Sequence, residues 1–422
     1  MSKFKIYSRP TRVHAIALLT AAAALAASAF PADSTLMVDP KGNIIDVLYT
    51  FNGENDSGQA FVGVTADKSG NLYGAAAGQT GGCDTFGTVY ELTASSKFKA
   101  LHQFNGNDGQ YPVGTVIRDK AGNLYGTASG GGSHNLGIVY KISANGTFST
   151  LHAFTGGTTD GGTPESGIVM DENGNLYGTT WEGGSGSCSQ GLPGCGTVYK
   201  IAPDGTETVL YSFTGGADGG APRATLAVDA SGDLYGTTYW GGDPGCSSGG
   251  GCGVVFKVAP NGKETTLYTF TGGNDGGNPY AGVIVDGAGN LYGTASVAGA
   301  YGYGTIFKVA GDGTESTLYT FQGNADGAMP LDPLIMNKSG NLYGTTYLGG
   351  VDGAHGFGVV FKLSPNGVEK PLYQFQNRGD GWNPFGGLTL YKGYLYGTAA
   401  YGGNKNDCGT PNGFGTIFKV KS

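Results

Sequence analysis

The tripeptide Leu-Tyr-Gly occurs seven times in this chain, at Leu72, Leu124, Leu176, Leu234, Leu291, Leu342 and Leu395, with successive spacings of 52, 52, 58, 57, 51 and 53 residues. Self-similarity at a period near fifty residues restricts the chain to solenoids, arrays or propellers. Each unit carries four strand-like stretches bounded by Gly, Asn, Asp and Pro, the punctuation of turns. In the fifth unit they read AGVIVD (281–286), NLYGTA (290–295), GTIFKVA (304–310) and ESTLYTF (315–321), denoted strands A, B, C and D. Four short strands per unit predict the blades of a β-propeller.

The phase of the repeat sharpens this expectation. The repeat region opens with IIDVLYTF (44–51), which matches strand D, and ends with GTIFKV (415–420), which matches strand C. The expected fold is therefore all-β: a seven-bladed propeller with four antiparallel strands per blade, closed by pairing of the N-terminal outer strand with the C-terminal strand. An open solenoid has no use for that offset, whereas closure removes an exposed sheet edge. Strand B always supplies Tyr, strand C Tyr or Phe, and strand D a final Phe. These account for 21 of the 48 aromatic residues. Fixed aromatic positions imply packing between neighbouring sheets, so one domain (30–422) divides its core among blade interfaces. Glycine, at 82 residues, is periodic and reads as turn chemistry instead of disorder.

Residues 1–29 read as a signal peptide. Lys3, Lys5, Arg9 and Arg12 precede an apolar run from Val13 to Ala27, and Ala27-Ser28-Ala29 offers a small-residue cleavage site. No Cys follows as in a lipoprotein, no later stretch has membrane length, and the end GTIFKVKS carries no anchor signal. The expectation is a secreted protein, extracellular or periplasmic, not membrane-spanning and monomeric. Six cysteines suit an oxidising compartment. Cys188 with Cys195, and Cys246 with Cys252, share B–C loops and are expected to pair locally, with cross-pairing between the third and fourth blades as the alternative. Cys83 and Cys408 are expected to staple the closed ring. Neither loop has zinc-site spacing. A net charge of -8 excludes the basic footprint of a nucleic-acid binder.

Strands alternating in direction place the B–C and D–A loops at one end of the propeller. The B–C loops vary in length, whereas the A–B turns (DKSGN, DENGN, DASGD, DGAGN) barely change, so binding residues are expected on the B–C/D–A face. The D–A loops repeat an Asp in all seven units: Asp56, Asp108, Asp160, Asp218, Asp275, Asp326 and Asp380. A ring of carboxylates could hold Ca²⁺, but DGG supplies one ligand per loop where a Ca²⁺ loop wants several. An Asx-type turn is the preferred reading, and no cofactor or metal site is assigned.

Function should appear where the copies disagree. After the repeat Pro come Phe61, Val113, Glu165, Arg223, Tyr280, Leu331 and Phe385, with Asp332 one further on in unit six. After strand B come Trp181-Glu182, Tyr239-Trp240 and Tyr347-Leu348. The ligand-binding set is therefore Glu165, Trp181, Glu182, Arg223, Tyr239, Trp240, Tyr280, Asp332 and Tyr347, concentrated in units three to six. Aromatic platforms beside carboxylates and an Arg suit a sugar or another polar ring-bearing ligand; the alternative is that the aromatics cap Gly-rich loops. His102 and His152 replace the Tyr of LYTF and are read as structural, while His134 and His355 lie in loops of non-adjacent units. No Ser sits on a nucleophile turn, and no catalytic residue is assigned.

The pattern LYGTT–GG–GTVYKI–DG–LYSF–DGG–P, complete from Leu176 to Pro222, resembles the GloVer-type tandem repeat of exported bacterial proteins, also called the choice-of-anchor family. It is similar as well to NHL-type propeller repeats. The resemblance spans nearly all of 30–422 and implies an extracellular bacterial propeller. It carries over no catalytic residue, because the shared motif is the scaffold. Family members often end in anchoring segments; the lack of one here favours free secretion or periplasmic residence. The leading expectation is a binding module for a glycan or another cell-envelope or environmental polymer. The alternatives are a propeller lyase or hydrolase using Glu165, Glu182 or Asp332 as acid/base, and a structural protein–protein platform.

Overall fold

The computed structural model describes residues 34–54, 56–78, 85–188, 191–246, 250–403 and 412–422. It is a seven-bladed β-propeller. Blades three to six each form a four-stranded antiparallel sheet in the order A-B-C-D. In blade five these are Ile284–Val285, Leu291–Ala295, Thr305–Val309 and Glu315–Thr320. The last blade takes its outer strand from the other end of the chain: Ile44–Thr50 pairs antiparallel with Thr416–Lys421, Ile45 opposite Val420. A further strand, Thr35–Val38, lies outside it, beyond the four strands per blade that the repeat predicts. The sole helical segment among the described residues is the 3-10 turn Gly353–His355. No helix among them is long and apolar enough to cross a membrane. The proposed signal peptide lies outside the described residues.

Strand A departs from expectation. The run 281–286 predicts six strand residues, yet only Ile284 and Val285 join the ladder of blade five. The physical reason is crowding at the axis. There the preceding residues are wedged between their own strand B and the neighbouring blade's strand A: a Cβ at Gly114 would lie 2.5 Å from Thr127 Oγ1 and 2.6 Å from the Cα of Gly167 in the next blade.

The core is divided as the aromatic positions implied. Phe213 and Val198 of blade three bury against Leu226, Leu234 and Phe256 of blade four. Within one Leu-Tyr-Gly the two large side chains serve different neighbours. Leu72 packs with Phe51 and Tyr90, whereas Tyr73 packs with Phe104 and Val116. Fully burying one such side chain contributes about 2 kcal/mol, so stability is distributed over seven seams. The A–B turns are tied down by the same tripeptide: the Tyr177 hydroxyl donates to Asp171 at 3.1 Å, and the Asn175 backbone N–H to the same carboxylate at 2.9 Å.

Candidate functional site

The D–A and B–C loops meet on one face through a recurring staple at the residue before the repeat Pro. Thr163, Ala221, Asn278, Met329 and Asn383 all take positive φ, near 50°. That strained conformation is sustained because the peptide is bonded on both sides. The Ala221 N–H donates to the carbonyl of Cys195, while its own carbonyl accepts the N–H of Tyr239 at 3.3 Å. Thr163 holds the Trp181 N–H at 3.0 Å and Met329 holds that of Tyr347 at 3.0 Å. The staple therefore fixes the first variable residue after strand B beside the first variable residue of strand A.

These residues surround the mouth of the central channel. A cavity of about 410 Å³ is lined by Phe61, Val113, Ser129, Glu165, Arg223, Tyr280, Leu331, Tyr347 and Phe385. Below it the channel narrows to about 60 Å³, bordered by Glu165, Ser166, Arg223 and Asp332.

Arg223 is the hub. Its Nε lies 2.8 Å from Glu165, its NH1 donates to the Tyr280 hydroxyl at 3.0 Å, and its guanidinium sits 3.9 Å over the Trp181 ring and 5.0 Å from that of Tyr280. Trp181 leans on Trp240 at 4.8 Å, and Tyr239 on Tyr280 at 6.1 Å. The cation is thus neutralised by one carboxylate and covered by aromatic faces. Burial pushes the Glu165 carboxyl above its ordinary range; Arg223 restrains the rise, and the charge of Glu182 adds to it. Glu182 accepts the Thr163 hydroxyl at 2.7 Å, which holds its carboxylate in the loop staple. Asp332 is buried at the seam of blades six and seven. It takes the Thr345 hydroxyl and the Gly386 N–H, the latter at 2.6 Å. Burial pushes it up to about 6, against the lowering effect of these bonds.

Of the nine residues singled out in the sequence, Glu165, Arg223, Tyr280 and Tyr347 line the wide cavity, and Asp332 borders the narrow part. Trp181, Tyr239 and Trp240 form the adjoining aromatic cluster. The concentration in units three to six is incomplete. The aromatic belt continues from Tyr280 to Phe385 at 5.8 Å, from Phe385 to Phe61 at 5.8 Å and from Phe61 to Tyr401 at 5.8 Å. Trp382 packs on Tyr401 at 4.9 Å. Phe61 and Phe385 were visible as occupants of the variable position; ring closure makes them face the others.

The repeated Asp residues bind their own loops. Asp218 accepts the Tyr211 hydroxyl at 2.9 Å and the Thr214 N–H at 2.7 Å, and Asp275 is held in the same way by Tyr268 and Thr271. Histidine takes the Tyr role in two units, His102 on Asp108 at 3.1 Å and His152 on Asp160 at 3.3 Å. Among the described residues, one group of three potential metal donors comes together: His152, Asp160 and Glu207, all within 4.8 Å. Disulfides join Cys188 to Cys195 and Cys246 to Cys252. The expected Cys83–Cys408 bond lies outside the described residues.

Known proteins with a similar fold include puromycin hydrolase, at 12% identity and a TM-score of 0.53, covering 84% of this chain and 53% of that one. This chain therefore spans about half of the hydrolase. A gluconolactonase from Xanthomonas campestris matches at 10% identity and a TM-score of 0.44, covering 93% and 96% of the two chains. The PQQ-bound aldose sugar dehydrogenase of Streptomyces coelicolor matches at 13% identity and 0.45, covering 93% and 99%. At these identities the likeness is one of fold. No curated protein matches the chain. The model of the Gloeobacter/Verrucomicrobia repeat matches residues 34–191 and 245–422, and the chain belongs to that repeat family.

Proposed function

We propose that this propeller is an exported binding module that receives a neutral, ring-bearing ligand at the aromatic mouth, with glycans of the cell envelope or surroundings as the leading class. The observation that carries this reading is the state of Arg223. Its charge is taken up by Glu165 and its faces by Trp181 and Tyr280, so the mouth offers aromatic surface instead of an anion site. Sugar rings stack on such surfaces through their C–H faces and hydrogen-bond at their edges. Export fits the two disulfides, which persist in oxidising compartments.

The test is a screen of the protein lacking residues 1–29 against neutral and acidic polysaccharides, with and without Ca²⁺. Neutral chains should be retained in preference to polyuronates. Trp181→Ala and Tyr280→Ala should each weaken binding about tenfold or more, as expected for aromatic anchors. Binding that survives both substitutions would move the interaction away from the mouth, toward a protein–protein platform.

Asp332 supports a second reading, an acid/base enzyme of the propeller hydrolase or lyase kind. A buried carboxyl pushed up to about 6 at the narrow part of the channel can carry a proton near neutral pH. In that case Asp332→Asn or Glu165→Gln abolishes turnover of a bound ligand while leaving its retention intact.

A further inference from the structure

Outside the mouth, the outer seam between blades two and three differs from its counterparts. At each of four seams, the aromatic-or-His/Asp clasp of one unit faces a Glu that begins the next blade's strand D. Three of these are built on a phenol: Tyr211–Asp218 facing Glu264, Tyr268–Asp275 facing Glu315, and Tyr319–Asp326 facing Glu369. The fourth has an imidazole, His152, with Asp160 and Glu207. Tyrosine in this position donates its proton and closes the cluster. Neutral imidazole can instead present a lone pair.

In the fourth cluster Asp160 Oδ2 accepts the backbone N–H and hydroxyl of Thr155 at 2.8 and 2.9 Å, and Oδ1 accepts the Gly161 N–H at 2.6 Å. His152 Nε2 lies 3.4 Å from Oδ1 and 3.3 Å from Oδ2, longer than the 2.9, 2.9 and 3.1 Å of the three phenol clasps, and an ion would take the place of that contact. Glu264 and Glu315 accept the hydroxyls of Thr266 and Thr317, each at 3.1 Å. The corresponding residue after Glu207 is Val209, and Glu207 Oε1 is buried without a partner. Glu369 Oε1 is likewise unpartnered but faces a phenol that donates its proton to Asp326, so only the fourth cluster adds an imidazole nitrogen.

We propose that His152 Nε2, Asp160 and Glu207 form a peripheral site for a divalent transition-metal ion of the Zn²⁺/Co²⁺ class, pinning blade three to blade two. One imidazole with two carboxylates suits such ions better than Ca²⁺ or Mg²⁺, which take all-oxygen shells. Water completes the coordination. The remaining histidine clasp supplies an internal control. His102 bonds Asp108, but it faces the ring of Phe148, stacked at 3.8 Å, where Glu207 stands in the other seam.

The proposal is tested by titrating Co²⁺ into untagged, chelator-stripped protein, following visible absorbance and thermal unfolding. Wild type should bind one Co²⁺ per chain and melt higher with it. His152→Tyr installs the residue that five units carry at this position, so the metal-free protein should fold; its Co²⁺ affinity should fall by more than about a hundredfold, as for loss of a direct ligand. Glu207→Gln should weaken binding in the same direction, and His102→Tyr should bind like wild type. The proposal is overturned if wild type shows no saturable Co²⁺ binding. It is equally overturned if His152→Tyr binds like wild type, or if His102→Tyr loses as much.

Discussion

Gly236 shows why the tripeptide is Leu-Tyr-Gly and not Leu-Tyr-Ala. It lies opposite Phe256 in the ladder, and a Cβ there would come 2.6 Å from the ring's Cζ. Gly344 and Gly397 stand in the same relation to Phe361 and Phe418. The glycine is a notch for the strand C ring of its own blade. Gly236→Ala should therefore destabilise the protein by about 1–3 kcal/mol, the usual cost of overpacking, read as a lower denaturation midpoint. The first three blades place Tyr over the notch instead of Phe, and the hydroxyls of Tyr90, Tyr140 and Tyr199 are buried without partners. Tyr199→Phe should stabilise by about 1 kcal/mol in the same assay, since it removes an unsatisfied polar group. The opposed duties of Leu and Tyr were legible from alternation along the strand. The notch was not, because it depends on which residue lies opposite across the sheet.

At the scale of the element, strands B, C and D ended within one residue of their expected limits in blade five, because Gly-rich turns mark their ends. Strand A was overread. Its apolar run is the same whether it pairs with its own blade or crowds the axis, and periodicity cannot separate the two. The seam of blades six and seven also departs from the repeat. At five other seams a strand B Thr donates to a carbonyl of the next blade, as Thr179 does to Ala224 and Thr237 to Ala281, while blade one has Ala75 at this position. At the seam of blades six and seven, Thr345 donates to the Asp332 carboxylate instead. Since the folded-state value of Asp332 is raised to about 6 from 3.8, the folded protein holds this proton more tightly than the unfolded chain. Its stabilising contribution is full below about pH 4 and is lost as pH rises through about 6. Other carboxylates titrate in the same range, so the informative quantity is wild type minus Asp332→Asn in urea unfolding. That difference should shift against wild type by up to about 3 kcal/mol between pH 4 and 7. A flat difference would mean that Asp332 is not buried as a neutral acid.

At the scale of the whole molecule, the ring converts a one-dimensional list of variable residues into a mouth. The sequence showed which positions vary, and therefore Glu165, Arg223 and Tyr280 were found. It did not show that Phe385 of unit seven would reach Tyr280 of unit five, because that contact exists only across a closed ring. Closure also concentrates the tryptophans. All three in the chain, Trp181, Trp240 and Trp382, belong to the aromatic clusters of the mouth face. Tryptophan fluorescence consequently reports on the proposed site and little else. The most direct test of the mouth as a ligand site is a fluorescence titration of the protein with the soluble neutral oligosaccharides that it retains. The account predicts a saturable change in intensity or emission maximum that disappears in Trp181→Ala and weakens in Tyr280→Ala. Saturable binding by calorimetry with unchanged tryptophan emission, and with full affinity in both variants, would contradict it.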